Sequence, residues 1–292
     1  MRQEWDIDSS RTFFFAEAGA QYYDVIEELI QPFMGLIHDT MASLVEYALG
    51  DAGKKPPGGN VTVLDVGSGS GAEALRVLAR FPEAQIVSVD FSESMNAEFK
   101  KKLDSAFPGA IESGQVKLLE SDFFSPACEP QTLCGHLGNP ETGYDAVLCG
   151  FMLHHYPYDA KREAYQRMHD VLRDGGTLVH GDLFSFGSER LARWAHAFGE
   201  QWIQGSFSAV SDDVRSAMAG VGHRPEDVLA QWIDHWNNTH VLDALENILP
   251  NVRPETSQSS PLSCRAALSA AGFRESGCPF RLWDAGVLWA WR

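Results

Sequence analysis

From Phe13 to Leu49 apolar residues return at helical spacing, with Tyr22, Val25, Ile26 and Leu29 on one stripe, and Pro32 divides the run into two helices. Gly50 closes the second, and DAGKKPPGGN at 51–60 reads as a loop. From Val61 the pattern changes. Short β-branched runs alternate with helical ones: VTVLDV, AEALRVLARF, QIVSVD, SESMNAEFKKKLDSAF and QVKLLESD. After a loop rich in Cys, Pro and Gly come YDAVLCG, KREAYQRMHDVLR and GTLVHGDLF. Strand, helix, strand at this spacing predicts an α/β fold, a doubly wound parallel sheet with helices on both faces.

Between Ser188 and Pro250 the pattern is helical throughout. Leu191, Trp194, Ala195, Phe198 and Trp202 form one stripe, and Val228, Leu229, Trp232, Ile233 and Trp236 another. Pro225, followed by Glu226 and Asp227, has the chemistry of a helix start. Ser260-Pro261 to Ala271-Gly272 has an N-cap, a first-turn proline and a terminating glycine, so it is a helix. Two last strands, FRESGCPFRLW and AGVLWAWR, form an antiparallel hairpin that closes the sheet. The organisation expected is a helical leader at 1–50, a core at 61–187 and 260–292, and an all-helical cap inserted at 188–250.

Composition narrows the function classes. Forty acidic against twenty-three basic side chains give a formal charge of -17, which repels phosphate backbones and anionic membrane surfaces. The densest basic runs, Lys100 to Lys102 and Lys54-Lys55, carry no interleaved aromatics, so a nucleic-acid partner is disfavoured. The five cysteines show no CxxC spacing, which suggests neither disulfides nor a zinc ribbon and fits a reducing compartment. The apolar run near the N-terminus is too short for a signal peptide, and no stretch is long enough to span a bilayer. The expectation is a soluble, cytoplasmic protein.

The densest chemistry lies in VLDVGSGSG at 63–71, a buried strand that runs through Gly67, Ser68, Gly69 and Gly71 into a helix. Glycines let the backbone come close to a ligand. Gly67, Gly69 and Ala72 also satisfy the dinucleotide pattern, in which a pyrophosphate sits on the helix N-terminus. Asp65 argues otherwise, because a carboxylate there repels a pyrophosphate and tolerates an ammonium and a sulfonium. Asp90, ending QIVSVD, can accept from both hydroxyls of a ribose with either cofactor. Asp122 in SDFF adds an acceptor for an adenine amino group, with Phe91, Met95 and Phe123 as candidates to sandwich the ring.

The ordered set resembles the class I S-adenosylmethionine-dependent methyltransferases, of the small-molecule type with a helical cap. The DVGSGSG loop is similar to that family's first motif, VSVD to its ribose-binding segment and SDFF to its adenine-contacting segment. YDAVLCGFMLHH and LRDGGTLVHGDLF resemble its fourth- and fifth-strand motifs. The resemblance covers roughly half the chain. It implies a seven-stranded Rossmann-like sheet with an antiparallel last strand and S-adenosylmethionine as cofactor. It assigns Gly67, Gly69 and Gly71 to the methionine side, and Cys149 and Gly150 to the neighbourhood of the reacting methyl group. Tyr22 and Tyr23 in QYYD are similar to a leader tyrosine that closes over the cofactor.

Methyl transfer from a sulfonium is an in-line displacement, so catalysis comes largely from positioning the acceptor and excluding water. His154 and His155 follow the fourth strand and are the candidates for proton removal where the acceptor carries a proton. Phe151, His155, Trp194, Trp202, Trp232 and Trp236 are the candidates for contacting a flat or cationic small-molecule acceptor. No spacing among His154, His155, His235 and His240 suggests a metal. A transfer-RNA-modifying member of the same family, a non-catalytic cofactor-binding module and a dinucleotide-dependent dehydrogenase are the rival readings. The acceptor, the atom methylated and the oligomeric state, homodimer included, stay open.

Overall fold

A computed structural model describes residues 17–31, 33–51, 60–138, 143–186, 188–212, 215, 216, 219, 224, 226, 227 and 259–292. Two N-terminal helices, α1 (Glu17–Ile30) and α2 (Met34–Asp51), flank the predicted break. The alternating region gives β1 (Thr62–Val66), α3 (Ala72–Arg80), β2 (Gln85–Asp90), α4 (Glu93–Ala106) and β3 (Val116–Glu120). A 3-10 turn at Pro126–Cys128 and α5 (Pro130–Gly135) follow, in the stretch read from sequence as loop. Then come β4 (Tyr144–Gly150), a 3-10 turn at Leu153–His155, α6 (Tyr158–Val171), β5 (Leu172–Leu183) and α7 (Glu189–Ser208). The chain ends with α8 (Pro261–Ala270), β6 (Glu275–Leu282) and β7 (Ala285–Trp291).

The strands form one seven-stranded sheet in the order β3-β2-β1-β4-β5-β7-β6. The first five are mutually parallel, and β7 runs antiparallel to both β5 and β6. Side chains alternate across the sheet because the strand period is two. Leu64, Val66, Val147 and Cys149 join one core with Tyr165 and Met168 of α6 and Leu268 of α8. Val63, Ala146 and Leu148 join the other with Ile37 and Met41 of α2, Val77 of α3 and Phe99 of α4. Both faces are therefore covered, as a parallel sheet requires.

This topology fixes where a ligand can bind. The order reverses at β1, whose neighbours are β2 and β4, and in open α/β sheets a crevice forms beyond the carboxyl ends of the strands at such a point. Gly67 and Gly150, each at the carboxyl end of its strand, flank that crevice. Strand β5 begins at Leu172, so the LR that sequence periodicity gave to the preceding helix is already strand. The N-cap of α8 is Ser260, whose hydroxyl accepts from the Ser263 amide at 3.1 Å, with Pro261 in the first turn. Among the described residues no helix is long and apolar enough to cross a membrane.

Candidate functional site

The loop after β1 is shaped by backbone geometry that only glycine adopts cheaply. Gly67, Gly69 and Gly71 have φ of 68°, 51° and 83°. A Cβ on Gly67 would lie 2.8 Å from the Met152 side chain, and one on Gly71 would enter the Phe99 ring. A Cβ on Gly69 would meet nothing within 4 Å, so that glycine borders open space. Ser68 is buried and its hydroxyl has no hydrogen-bond partner.

Asp90, buried at the end of β2, organises the neighbouring turns. One of its oxygens accepts from the Gly69 amide at 2.9 Å and the other from the Ser92 amide at 2.8 Å. Ser92 in turn caps α4, accepting from the Met95 amide at 3.3 Å. Asp122 is exposed beyond β3, and its Oδ1 accepts from the Phe124 amide at 2.9 Å. Phe91 is partly exposed, whereas Met95 and Phe123 are buried in the core. Of the three proposed ring contacts, only Phe91 presents a surface.

Two aspartates in the sheet show what distinguishes a structural acid from a ligand-ready one. Asp145, at the amino end of β4, accepts from the Thr62 amide at 2.8 Å and the Thr62 hydroxyl at 3.0 Å, and is paired with Arg173. Asp65 is fully buried and neither of its carboxylate oxygens has a partner. A buried carboxylate without partners is costly. Burial, then the charges of Glu73 and Asp90, push its carboxyl well above the usual range. An orphaned acid beside an open glycine loop fits a cationic ligand group and does not fit a pyrophosphate. The residues present therefore suit S-adenosylmethionine.

Sequence reading missed two further acids on this side of the sheet. Glu73, in the first turn of α3, lies over Gly150, where a Cβ would collide with its carboxylate. His38 of α2 stands 3.6 Å from Glu73 Oε1, its Nε2 without a hydrogen bond. Glu27 of α1 accepts from the Tyr23 hydroxyl at 3.2 Å, and its carboxyl is raised by burial and by Glu73. In sequence, Glu73 resembles any first-turn acid that complements a helix dipole, so nothing marked it out. Tyr22 belongs to α1 but its side chain lies outside the described residues.

On the other side of β5 a hydrogen-bonded chain runs from the site into the core. His154 Nδ1 is 2.6 Å from Asp182 Oδ1, His180 Nε2 is 2.9 Å from Asp182 Oδ2, and the Tyr165 hydroxyl is 3.1 Å from His180 Nδ1. Burial acts to raise the Asp182 carboxyl, but His154 and then His180 outweigh it and hold that carboxyl well below the usual range. Asp182 is thus an acceptor only, so both histidines donate to it. His154 turns Nδ1 to Asp182 and leaves Nε2 outside that contact, while His180 lies between Asp182 and the Tyr165 hydroxyl. His154 is partly exposed and the other three are buried. His155 packs beside His154, ring centroids 3.8 Å apart. A histidine and an aspartate two apart in GTLVHGDL was the available sequence signal for His180 and Asp182.

The remaining candidates are placed unevenly. Cys149 points into the core and its thiol is raised by burial, so Gly150 alone of that pair borders the site. Phe151 adopts φ 46° and sits 6.0 Å from the His38 ring. Trp194 is 58% exposed and stacks on Phe198 at 5.7 Å, while Trp202 lies 6.2 Å from Phe33. Trp232 and Trp236 lie outside the described residues. Among the described residues no group of three or more His, Cys, Asp or Glu side chains is placed to hold a metal ion.

Residues 63–176 match the family model described as a methyltransferase domain. The sequence matches no curated protein. Among solved structures, magnesium protoporphyrin IX methyltransferase from Synechocystis PCC 6803 with bound SAH is similar over 97% of this chain and 97% of that chain, with a TM-score of 0.52 and 16% identity. An O-methyltransferase family protein from Burkholderia thailandensis is similar over 98% of this chain and 63% of its own, with a TM-score of 0.52 and 14% identity. Human N-acetylserotonin methyltransferase in complex with SAM is similar over 97% and 58%, with a TM-score of 0.51 and 15% identity. At these identities the likenesses concern the fold.

Proposed function

From a chain whose residues 63–176 form a class I S-adenosylmethionine-dependent methyltransferase domain, we propose an enzyme that methylates a protonated oxygen or nitrogen of a small-molecule acceptor, with His154 as general base. The observation that carries this reading is the 2.6 Å contact of His154 Nδ1 with Asp182, beside the carboxyl ends of β4 and β5. When bound, S-adenosylmethionine supplies a methyl group carried on a positively charged sulfur.

The chain's own residues then have separable tasks. Asp90, held at the end of β2 by the Gly69 and Ser92 amides, is the acceptor assigned to the ribose hydroxyls. Asp122 and Phe91 serve the adenine, and Asp65 the methionine end with Gly67, Ser68 and Gly69. Asp182 holds the His154 ring with its Nε2 lone pair open, so that this nitrogen takes the acceptor's proton as the new bond to carbon forms. Phe151, His155, Trp194 and Trp202 are the acceptor contacts assigned from the described residues, and Trp232 and Trp236 complete the set from sequence alone. The structural neighbours magnesium protoporphyrin IX methyltransferase and N-acetylserotonin methyltransferase support this acceptor class. A formal charge of -17 supports it against transfer RNA.

The test is release of S-adenosylhomocysteine from the full chain across a panel of phenols and aromatic amines. His154→Ala is expected to lower kcat by roughly 100- to 10,000-fold with little change in cofactor affinity. Asp182→Asn, which leaves the ring without its anionic partner, should fall in the same direction. Turnover within a few-fold of wild type in both variants would remove the base from the mechanism.

A further inference from the structure

The acids on the α1–α2–α3 side of the site exceed what the fold needs. Asp65 from β1, Glu73 from α3 and Glu27 from α1 are each in electrostatic reach of the next: Glu73 raises both Asp65 and Glu27. Among the described residues, Lys102 of α4 partly offsets the charge on Glu27, and no cation is among the groups that act on Asp65. Lys102 of α4 is paired with Asp24, which also takes the Ser70 hydroxyl at 2.5 Å, and Arg76 of α3 is turned to Asp39 at 3.1 Å. His38 faces Glu73 from α2, but burial lowers its affinity for a proton, so it brings no charge near neutrality. Tyr23 of α1, which donates to Glu27, Asp90 of β2 and Cys149 of β4 are further titratable neighbours, and none is cationic. The site is open on one side at Gly69 and is floored by Gly150.

An acidic cluster alone identifies no ligand, but here a fully buried carboxylate stands with both oxygens unpartnered. A compact metal ion does not suit it, since among the described residues no three such side chains converge on one point. A bulky organic cation does. We propose that Asp65, Glu27 and Glu73 together form an acidic cradle that recognises the methyl donor by its positive sulfur as well as its ammonium, and so binds the donor more tightly than the demethylated product. The proposal rests on the cofactor reading above. Donor and product share the same ammonium and carboxylate, so only the sulfonium charge differs between them. Its loss on methyl transfer removes attraction to the cradle and favours product release.

The cradle also couples binding to protons. Burial raises the carboxyls of Asp65 and Glu27 and so disfavours their ionised forms in the ligand-free chain. An arriving cation favours the ionised form and expels a proton held there. Affinity for the donor should therefore rise with pH, by roughly tenfold per unit for each whole proton released.

Calorimetric titration of the full chain with S-adenosylmethionine and with S-adenosylhomocysteine tests this at about pH 6.5, where the ligands' own amines stay protonated. Phosphate and imidazole, which both buffer near this pH and differ in protonation enthalpy, report proton release in the wild-type chain without any variant. The expected result is a buffer-dependent heat for the donor and a donor preference of at least roughly tenfold, reduced towards parity in Glu73→Gln and Glu27→Gln. Donor binding with buffer-independent heat and equal affinity for the product would overturn the cradle while leaving the cofactor in place. Binding of neither ligand would overturn the cofactor reading and the cradle with it.

Discussion

At the scale of single residues, the glycine loop separates backbone strain from steric exclusion. Gly69 and Gly71 both have positive φ, but only Gly71 has a ring where its Cβ would be. Gly69→Ala should cost about 1–2 kcal/mol, the penalty of a left-handed conformation for a residue with a Cβ. Gly71→Ala adds overpacking against Phe99, on the order of 1–3 kcal/mol more. Denaturant midpoints of the two variants check the order, and equal losses would mean that Phe99 yields freely. The glycines and Asp65 were legible because a strand, an acid and a spaced glycine run form a local pattern. Glu27 and Glu73 were not, because their significance arises from helices distant in sequence that bring the two carboxylates within electrostatic reach, with Glu73 over Gly150 of β4. Met95 and Phe123, read as contacts for the adenine ring, are buried because apolar side chains at those positions have a core to enter.

Among elements, ends were legible wherever capping chemistry was local. Helix α8 starts where Ser260 and Pro261 predicted, and the Ser260 side chain accepts from the Ser263 amide. Ser260→Ala should cost about 1 kcal/mol and leave cofactor binding unchanged, which thermal unfolding and a donor titration together measure. By contrast, α5 and the turn before it were hidden in a Cys-, Pro- and Gly-rich stretch too short to show a period. The boundary between α6 and β5 was misplaced because Leu172 and Arg173 continue the helical spacing. Leu172 pairs instead with Tyr144 of β4, a tertiary contact that overrides local preference. The tryptophan stripe behaves similarly: helix α7 forms, yet Trp194 and Phe198 stay exposed on it while Ala195 is buried.

For the molecule as a whole, the strand order follows from chain logic, since alternating units wind a parallel sheet and a terminal hairpin adds antiparallel strands at its edge. The stability of that assembly carries a pH dependence that the sequence does not reveal. Asp284 sits in the turn between β6 and β7, buried, and accepts from Gln31 Nε2 at 3.0 Å just beyond the end of α1. Burial raises its carboxyl to about 6, with Gln31, its own backbone amide, Arg281 and His154 only partly opposing. A raised folded value means the ionised form is disfavoured in the fold. The penalty is absent below the ordinary aspartate range, grows as the unfolded chain ionises, and reaches its full size above about pH 6. Asp284→Asn keeps an acceptor for Gln31 and removes the ionisation. The variant should therefore exceed wild type by about 2–3 kcal/mol at pH 7.5 and converge with it near pH 4. Denaturant midpoints of the pair across that range provide the measurement. A constant difference at all pH values would show that Asp284 acts through packing, and a less stable variant at pH 7.5 would show that its negative charge is what holds α1 to the hairpin.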